Sequence, residues 1–141
     1  MALAICASLL AWTRGGPGRG TAGYAGNWAI APGTVYKPDV WWAAEGRAPT
    51  GARSDDPPEL AVEVRSPGSW MLDMGVKRRR YEEAGVAELW LVDSPAKTIL
   101  VLRRSGARAD DFDVTLEVPV GETLSTPLLE GFELVVADLF S

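Results

Sequence analysis

The chain has 141 residues, which suits one domain with one moderate core, so we predict a single domain over residues 1–141. A hydrophobic share of 47% and a charged share of 23% are ordinary for a globular protein and exclude disordered and collagen-like chains. The absence of histidine excludes Ser-His-Asp triads and histidine metal ligands, which leaves carboxylates, lysine, arginine, hydroxyls or a metal for any catalysis.

Charge and cysteine content limit the binding partners and the cellular compartment that can be expected. The net charge of -5 argues against a general nucleic-acid binder, yet it suits a carboxylate site whose bound cation supplies positive charge. The single cysteine, Cys6, cannot form an internal disulfide and indicates a reducing compartment, so we predict a cytoplasmic location.

The N-terminal twelve residues are almost wholly apolar. We interpret residues 2–13 as a first helix that packs against a sheet. A cleaved secretory leader is the alternative, although no positive charge precedes the apolar run. The run is too short to span a membrane, so no membrane association is expected. The glycine-rich segment 15–20 (GGPGRG) is predicted to be a turn, because no GK[ST] follows it to make a phosphate-binding loop.

Alternation and turn residues predict the remaining elements. The clearest strand covers residues 59–65 (ELAVEVR), and Ser69 is a suitable cap for a helix over 70–84 that ends at Gly85. The other predicted elements are strands at 24–31 and 35–43, a turn at Pro32-Gly33, a loop at 45–58, a turn at 66–68, a hairpin of strands 88–92 and 98–103, a weaker strand at 112–118, and an apolar stretch at 132–136 between a turn at Glu130-Gly131 and a short terminal helix.

Two carboxylates occupy unusual places in apolar strands. Glu63 lies near the end of strand 59–65, and Asp39 lies within strand 35–43. A buried carboxylate is costly unless it is paired or binds a metal. If both face one side, they form a plausible pair of oxygen ligands for Mg²⁺. The alternatives are a salt bridge to Arg65 or simple exposure for Glu63, and a local backbone hydrogen bond for Asp39.

The predicted helix 70–84 carries a lysine on its inward side. At 100° per residue, one stripe contains Trp70, Met74, Lys77, Tyr81 and Ala84. An amine on that stripe needs an anion, either Asp73 one turn earlier or the pair Asp39 and Glu63. In the second case Lys77 could orient an attacking water or stabilise charge in the transition state.

The basic run and the tryptophans allow weaker predictions. Within residues 77–80 (KRRR), Arg79 is predicted to be solvated, with its charge balanced by Glu82 and Glu83. Arg78 and Arg80 flank the inward stripe and are better placed to contact DNA. Trp41, Trp42 and Trp90 lie in predicted strands and are expected in the core or at an interface.

The stretches PDV, PPELAVEVRSPGSW and DMGVKRRRYEEAGVAELWLVD, in that order, resemble the Uma-two-like family of predicted restriction endonucleases, a branch of the PD-(D/E)XK nuclease superfamily. The similarity runs from about residue 36 to residue 104, and a weaker similarity continues through GETLSTPLLEGFELVVADLF. The resemblance implies an α/β, restriction-endonuclease-like fold with a central mixed sheet and flanking helices.

The resemblance also implies a site. It maps the PD aspartate onto Asp39 and the (D/E) position onto Glu63, which would hold Mg²⁺ or Mn²⁺ with the carbonyl of Val64 as a further ligand. The strict pattern places a lysine where this chain has Arg65, but the resemblance implies that the lysine comes from the following helix. Lys77 matches this position, and Tyr81, one turn later, would orient it.

The implied function is metal-dependent hydrolysis of DNA phosphodiester bonds, with DNA as the partner and a homodimer as a further possibility. Relatives usually carry a longer N-terminal region with an acidic residue, whereas no acidic residue precedes Asp39 here, so the N-terminal region is expected to be shortened. The alternative function is a non-catalytic interaction protein that kept the nuclease fold.

Overall fold

The computed structural model describes residues 1–48, 53–54, 56–64 and 70–140. It contains three helices and eleven strands within these ranges, which follow the chain in the order α1 (Ala2–Arg14), β1 (Thr21–Tyr24), β2 (Asn27–Ala31), β3 (Thr34–Tyr36), β4 (Val40–Ala43), β5 (Arg53–Ser54), β6 (Leu60–Val64), α2 (Trp70–Ala84), β7 (Glu88–Asp93), β8 (Thr98–Arg103), β9 (Val114–Pro119), β10 (Thr123–Thr126), β11 (Leu129–Val135) and α3 (Val136–Leu139).

A six-stranded mixed sheet forms the centre of the fold, in the order β1-β4-β6-β7-β8-β9. Neighbouring strands are antiparallel except for β6 and β7, which are parallel. Parallel strands need a long crossover, and α2 lies in the connection between these two. The predicted α/β fold with a central mixed sheet and flanking helices is confirmed.

Both faces of the central sheet are covered. On one face, α1 and the β10–β11 hairpin pack over the sheet, and the shared core contains Leu9, Trp42, Leu60, Trp90 and Phe132. On the other face, the core contains Tyr81 of α2 and Trp28 of the small sheet β3-β2-β5, which pack with Trp41 of β4. The predicted burial of Trp41, Trp42 and Trp90 is confirmed, since each is at most 9% exposed. None of the helices in the described ranges is long and apolar enough to cross a membrane.

Two long strands predicted from the sequence are each divided in the structure. The prediction of one strand over 24–31 is wrong because Ala25 and Gly26 both have positive φ angles, 51° and 110°, which separate β1 from β2. The prediction of one strand over 35–43 is wrong because the chain leaves extended pairing around Pro38, which cannot donate a ladder hydrogen bond. Each division lets consecutive strands join different sheets.

The C-terminal region also differs from its prediction. Strand β10 was not predicted, and Gly131 lies inside β11 with a φ of 81°, where a turn was expected. The register between β10 and β11 shifts after the pair Leu124↔Leu134, so the glycine lies in a bulged part of the hairpin. The other predicted elements are found close to their predicted bounds, except that the short strand β5 lies within the predicted loop 45–58. Arg65, residues 66–68 and Ser69 lie outside the described residues.

A buried glutamate links the central sheet to the β10–β11 hairpin, far from the end of β6. Glu88 is 2% exposed and accepts hydrogen bonds from Trp90 Nε1 at 2.9 Å and Thr126 Oγ1 at 2.6 Å. Arg103 Nη2 lies 3.7 Å from Glu88 Oε1, in register with it on β8. This network fixes the hairpin on the sheet through charge-assisted hydrogen bonds.

Glu88→Gln should lower the free energy of unfolding by about 2–3 kcal/mol, because hydrogen bonds to a buried charge are lost and Arg103 is left without its counter-ion. Urea denaturation with an unchanged slope would measure this loss. Glu117→Gln, at an exposed position of β9, is the matched control and should change stability by less than about 0.5 kcal/mol. Equal effects of the two substitutions would contradict a stabilising role for the network.

Candidate functional site

The site begins with the burial of Glu63 on a strand that is covered on both faces. Its neighbours in β6, Leu60, Ala61 and Val62, are fully buried, and Glu63 itself is only 4% exposed. Because side chains alternate along a strand, Glu63 shares the face of Ala61, which is the face packed against α2. The interpretation of Glu63 as an exposed residue on an open sheet face is therefore wrong.

Helix α2 supplies two donors to Glu63. The hydroxyl of Tyr81 donates to Glu63 Oε1 at 2.8 Å, and Lys77 Nζ lies 3.5 Å from the same oxygen. Tyr81 is fully buried, whereas the Lys77 side chain is 34% exposed. The helical spacing of four residues places both groups over the end of β6, as the inward stripe predicts. The side chains of residues 70–74, including the alternative partner Asp73, lie outside the described part of the chain.

Asp39 is held beside the same strand end. The β4–β6 ladder runs up to the pair Val40↔Val62, and Asp39 and Glu63 are the next residues beyond that pair in the two segments. Beyond the ladder, Asp39 Oδ2 accepts the backbone N–H of Val64 at 2.7 Å. Asp39 thus bonds to backbone, as one alternative expected, but to a strand 25 positions away in the sequence.

The environment favours the protonated form of Glu63. Burial raises the pKa of the Glu63 carboxyl, the charge of Lys77 and the Tyr81 hydrogen bond partly oppose this, and the charge of Asp39 raises it again. Burial and the neighbouring Glu63 charge both raise the pKa of the Tyr81 hydroxyl, so Tyr81 remains a proton donor at neutral pH. Holding Glu63 ionised therefore costs free energy that a bound cation would offset.

A tyrosine outside the predicted set completes the described contacts. The Tyr36 ring, at the end of β3, packs edge-on against Tyr81 with centroids 5.4 Å apart, and Lys77 Nζ lies 5.9 Å from the centroid of Tyr36. Sequence analysis did not single out Tyr36. The available signal was an aromatic residue three positions before Asp39, which is too common to identify a site alone.

The carboxylates suit a hard divalent cation. Among the described residues, no group of three or more His, Cys, Asp or Glu side chains could hold a metal ion. Mg²⁺ does not need such a group, because it commonly binds one or two carboxylates and keeps several waters. The described residues donate hydrogen bonds to Asp39 Oδ2 and Glu63 Oε1, and carboxylate oxygens of this kind are ligand atoms that Mg²⁺ prefers. The donor chemistry therefore fits Mg²⁺ or Mn²⁺.

The basic run on α2 is arranged differently from the prediction. Arg78 lies 3.7 Å from Glu82, and Arg80 lies 3.9 Å from Glu83. Glu82 and Glu83 thus pair with Arg78 and Arg80, whereas they were expected to pair with Arg79. Arg79 is exposed and has no ion pair with any residue in the described ranges. Exposed pairs of this kind are weak, so they leave these arginines able to contact an anion.

Comparison with known proteins identifies the family of this chain. The model of the Uma2 family, described as "Putative restriction endonuclease", matches residues 1–137. The chain belongs to the Uma2 family. The resemblance found in the sequence is confirmed, and the match extends over nearly the whole chain, beyond residues 36–104. A search of curated proteins found no match.

A solved structure shows the same fold at low sequence identity. It is a crystal structure of "a putative nuclease belonging to DUF820" from Anabaena variabilis ATCC 29413, with a TM-score of 0.81 and 15% identity. The similarity covers 99% of this chain and 77% of that chain. This Uma2 chain therefore has a restriction-endonuclease-like fold, and its site must be argued from its own residues.

Proposed function

We propose that this Uma2 protein is a metal-dependent endonuclease that hydrolyses phosphodiester bonds in DNA. The observation that carries the proposal is the convergence of Lys77 and Tyr81 on the buried carboxylate of Glu63, beside Asp39. A structural ion pair alone would not need a second carboxylate on the same side, because Asp39 raises the cost of ionising Glu63. The arrangement is better explained by a cation that both carboxylates would bind.

Asp39 and Glu63 would hold Mg²⁺ or Mn²⁺, and the carbonyl of Val64 is a further ligand candidate. The Val64 N–H already bonds to Asp39, so this part of the backbone lies next to the proposed ligands. A divalent cation bound there would polarise the phosphoryl group and favour ionisation of the attacking water. Tyr81 was predicted to orient Lys77, but its described hydrogen bond goes to Glu63, so it would keep the Glu63 carboxylate in one orientation.

Lys77 has the exposure that a catalytic cation requires. Its ammonium reaches Glu63, yet one third of its side chain remains exposed, so the group borders both the buried carboxylate and the solvent from which a substrate would arrive. There it would orient the attacking water or stabilise negative charge that develops on the phosphate. A lysine that served only as a buried counter-ion for Glu63 would not need this exposed position.

DNA is the proposed substrate because the family is described as restriction endonucleases and the basic run of residues 77–80 on α2 begins with Lys77, which contacts Glu63. The overall charge of -5 limits attraction between the rest of the surface and DNA, so binding should depend on this local basic run and on the metal. A homodimer and a cytoplasmic location remain predictions, and sedimentation of the purified protein would test the first.

Metal binding gives a direct test of the proposed site. Mg²⁺ or Mn²⁺ should raise the thermal midpoint of the wild type, because the cation binds the folded state. At a metal concentration one hundred times Kd, the free energy of unfolding should increase by about 2.7 kcal/mol. The double substitution Asp39→Asn with Glu63→Gln should abolish that rise, because no carboxylate pair remains. Calorimetry across a metal titration would measure both proteins.

The matched control is the double substitution Glu117→Gln with Glu133→Gln, which removes two carboxylates from exposed strand positions. It should keep the full response to metal. An equal response in the site variant and in the wild type would favour the alternative function, a non-catalytic interaction protein with the nuclease fold.

A further inference from the structure

We propose that Tyr36 is a positioning residue, whose ring holds the Lys77 ammonium in place at Glu63. This proposal rests on the proposed function, since Lys77 is the group that would act on the substrate. Tyr36 lies at the end of β3, two residues before Pro38, and β3 belongs to a different sheet from β6, the strand that carries Glu63. The small sheet would then have a role in the site besides covering the core.

Lys77 needs a restraint on its solvent side. Its long side chain is one-third exposed, and its contact with Glu63, at 3.5 Å, is longer than a strong charge-assisted hydrogen bond. A flexible ammonium in this position can turn towards water as easily as towards the carboxylate. Besides Glu63, the ammonium contacts the Tyr36 ring, with Nζ 5.9 Å from the ring centroid.

An aromatic ring is a suitable restraint for a catalytic cation. The ring attracts the ammonium through its quadrupole but carries no charge, so it leaves the positive charge available to a phosphate. A carboxylate in the same place would neutralise the ammonium and repel the substrate. Tyr36 also contacts Tyr81, with centroids 5.4 Å apart and an interplanar angle of 69°. The same ring therefore touches both donors to Glu63.

Kinetics of two substitutions separate the ring from the hydroxyl. In Mn²⁺-dependent cleavage of plasmid DNA, Tyr36→Leu should lower kcat by about twofold to thirtyfold, with KM nearly unchanged, as expected for a lost cation–π contact. Tyr36→Phe keeps the ring and should retain the wild-type rate. Tyr24→Leu removes an exposed tyrosine of β1 and serves as the control, with no change in rate. A wild-type rate in Tyr36→Leu, or an equal loss in Tyr36→Phe, would overturn the proposal.

A double-mutant cycle tests whether Tyr36 acts through Lys77. In the Lys77→Met background, measured over long incubations, Tyr36→Leu should produce no further loss of cleavage. A further loss equal to that in the wild-type background would show that Tyr36 supports the site by packing alone, and the positioning role would be rejected.

A spectroscopic measurement separates this proposal from the proposed function. The ring current of Tyr36 should shift the NMR signals of the Lys77 ε-methylene protons, and Tyr36→Leu should move them towards the values of an exposed lysine, while Tyr36→Phe should not. If the wild type does not cleave DNA, the proposed function fails. The NMR signals would still test the contact between Tyr36 and Lys77, because unchanged Lys77 signals in Tyr36→Leu would show that the contact does not exist.

Discussion

Glu63→Gln should abolish metal-dependent cleavage and remove a pH-dependent loss of stability from the metal-free protein. Glutamine keeps the shape of the side chain and can still accept the Tyr81 hydrogen bond, so the fold should survive. It provides no negative charge for a divalent cation. Cleavage of mixed plasmid and single-stranded DNA with Mn²⁺ should therefore fall by at least the factor of about 10²–10³ that follows from loss of one preorganised electrostatic group.

The sign of the pH effect follows from the raised pKa of Glu63. Burial is the main cause, so the folded protein binds the proton more tightly than the unfolded chain. The stability of the metal-free wild type should then fall as pH rises from the ordinary glutamate pKa through the raised pKa in the fold. Below this window Glu63 is protonated in both states and the loss is absent.

Thermal unfolding of the metal-free protein across this pH window checks the prediction. The Glu63→Gln protein should lack this fall in stability, and saturating Mg²⁺ should reduce it in the wild type because the cation stabilises the ionised form. Glu117→Gln is the control and should keep the wild-type pH profile. If Glu63→Gln also keeps the wild-type profile, the assignment of the buried charge to Glu63 is wrong.

Sequence analysis predicted the positions of Glu63, Lys77 and Tyr81 because each depends on a local periodicity. Strand alternation places Glu63 on the face of Ala61, and the helical period places Lys77 and Tyr81 on the inward side of α2. The β4–β6 ladder ends one residue before Asp39 and Glu63, and Asp39 bonds to the backbone of Val64, the residue after Glu63. The sequence did not predict this pairing of β4 and β6, but opposing apolar strands in one sheet made a shared face plausible.

The burial of Glu63 is deeper than the alternation of its strand indicates. Regular alternation is typical of a strand with one exposed face, which allows a glutamate to be solvated. In the structure both faces of β6 are covered, and the small side chain of Ala61 gives space for packing on the second face. The parallel pairing with β7 explains this, because parallel strands are usually buried on both faces.

Tyr36 could not have been found in this way, because its contact with the site is entirely tertiary. The strand that carries it ends before Pro38, and the residue reaches Lys77 only because the small sheet folds over α2. The division of the predicted strand 24–31 is similar, since Ala25 has a positive φ that its residue type does not favour. Long-range packing decides both features.

Lys77→Met should lower the cleavage rate by about 10²–10³ while folding and metal binding persist. Methionine keeps the length of the side chain and suits the apolar part of the stripe next to Tyr81, so packing should change little. If Lys77 acted only as an exposed partner of Asp73, the substitution would cost roughly 0.3–0.5 kcal/mol in stability and would not affect catalysis.

The lysine also has a predictable effect on Glu63. Its charge lowers the pKa of the Glu63 carboxyl, so its removal should raise that pKa further. The metal-free Lys77→Met protein should therefore be less stable than the wild type near neutral pH and equally stable in acid, where Glu63 is protonated. Lys77→Arg, which keeps a positive charge, should restore this part of the stability profile.

The decisive assay compares wild type, Lys77→Met and Arg108→Met in Mn²⁺ with plasmid and single-stranded DNA. Arg108 is an exposed cation in the loop after β8, at the other end of the sheet from Glu63, and its removal should leave the rate unchanged. A rate for Lys77→Met equal to that of the wild type would reject the catalytic role of Lys77. Loss of rate together with a retained metal response would separate Lys77 from the ligands, because a residue that only held the fold or the cation would change both.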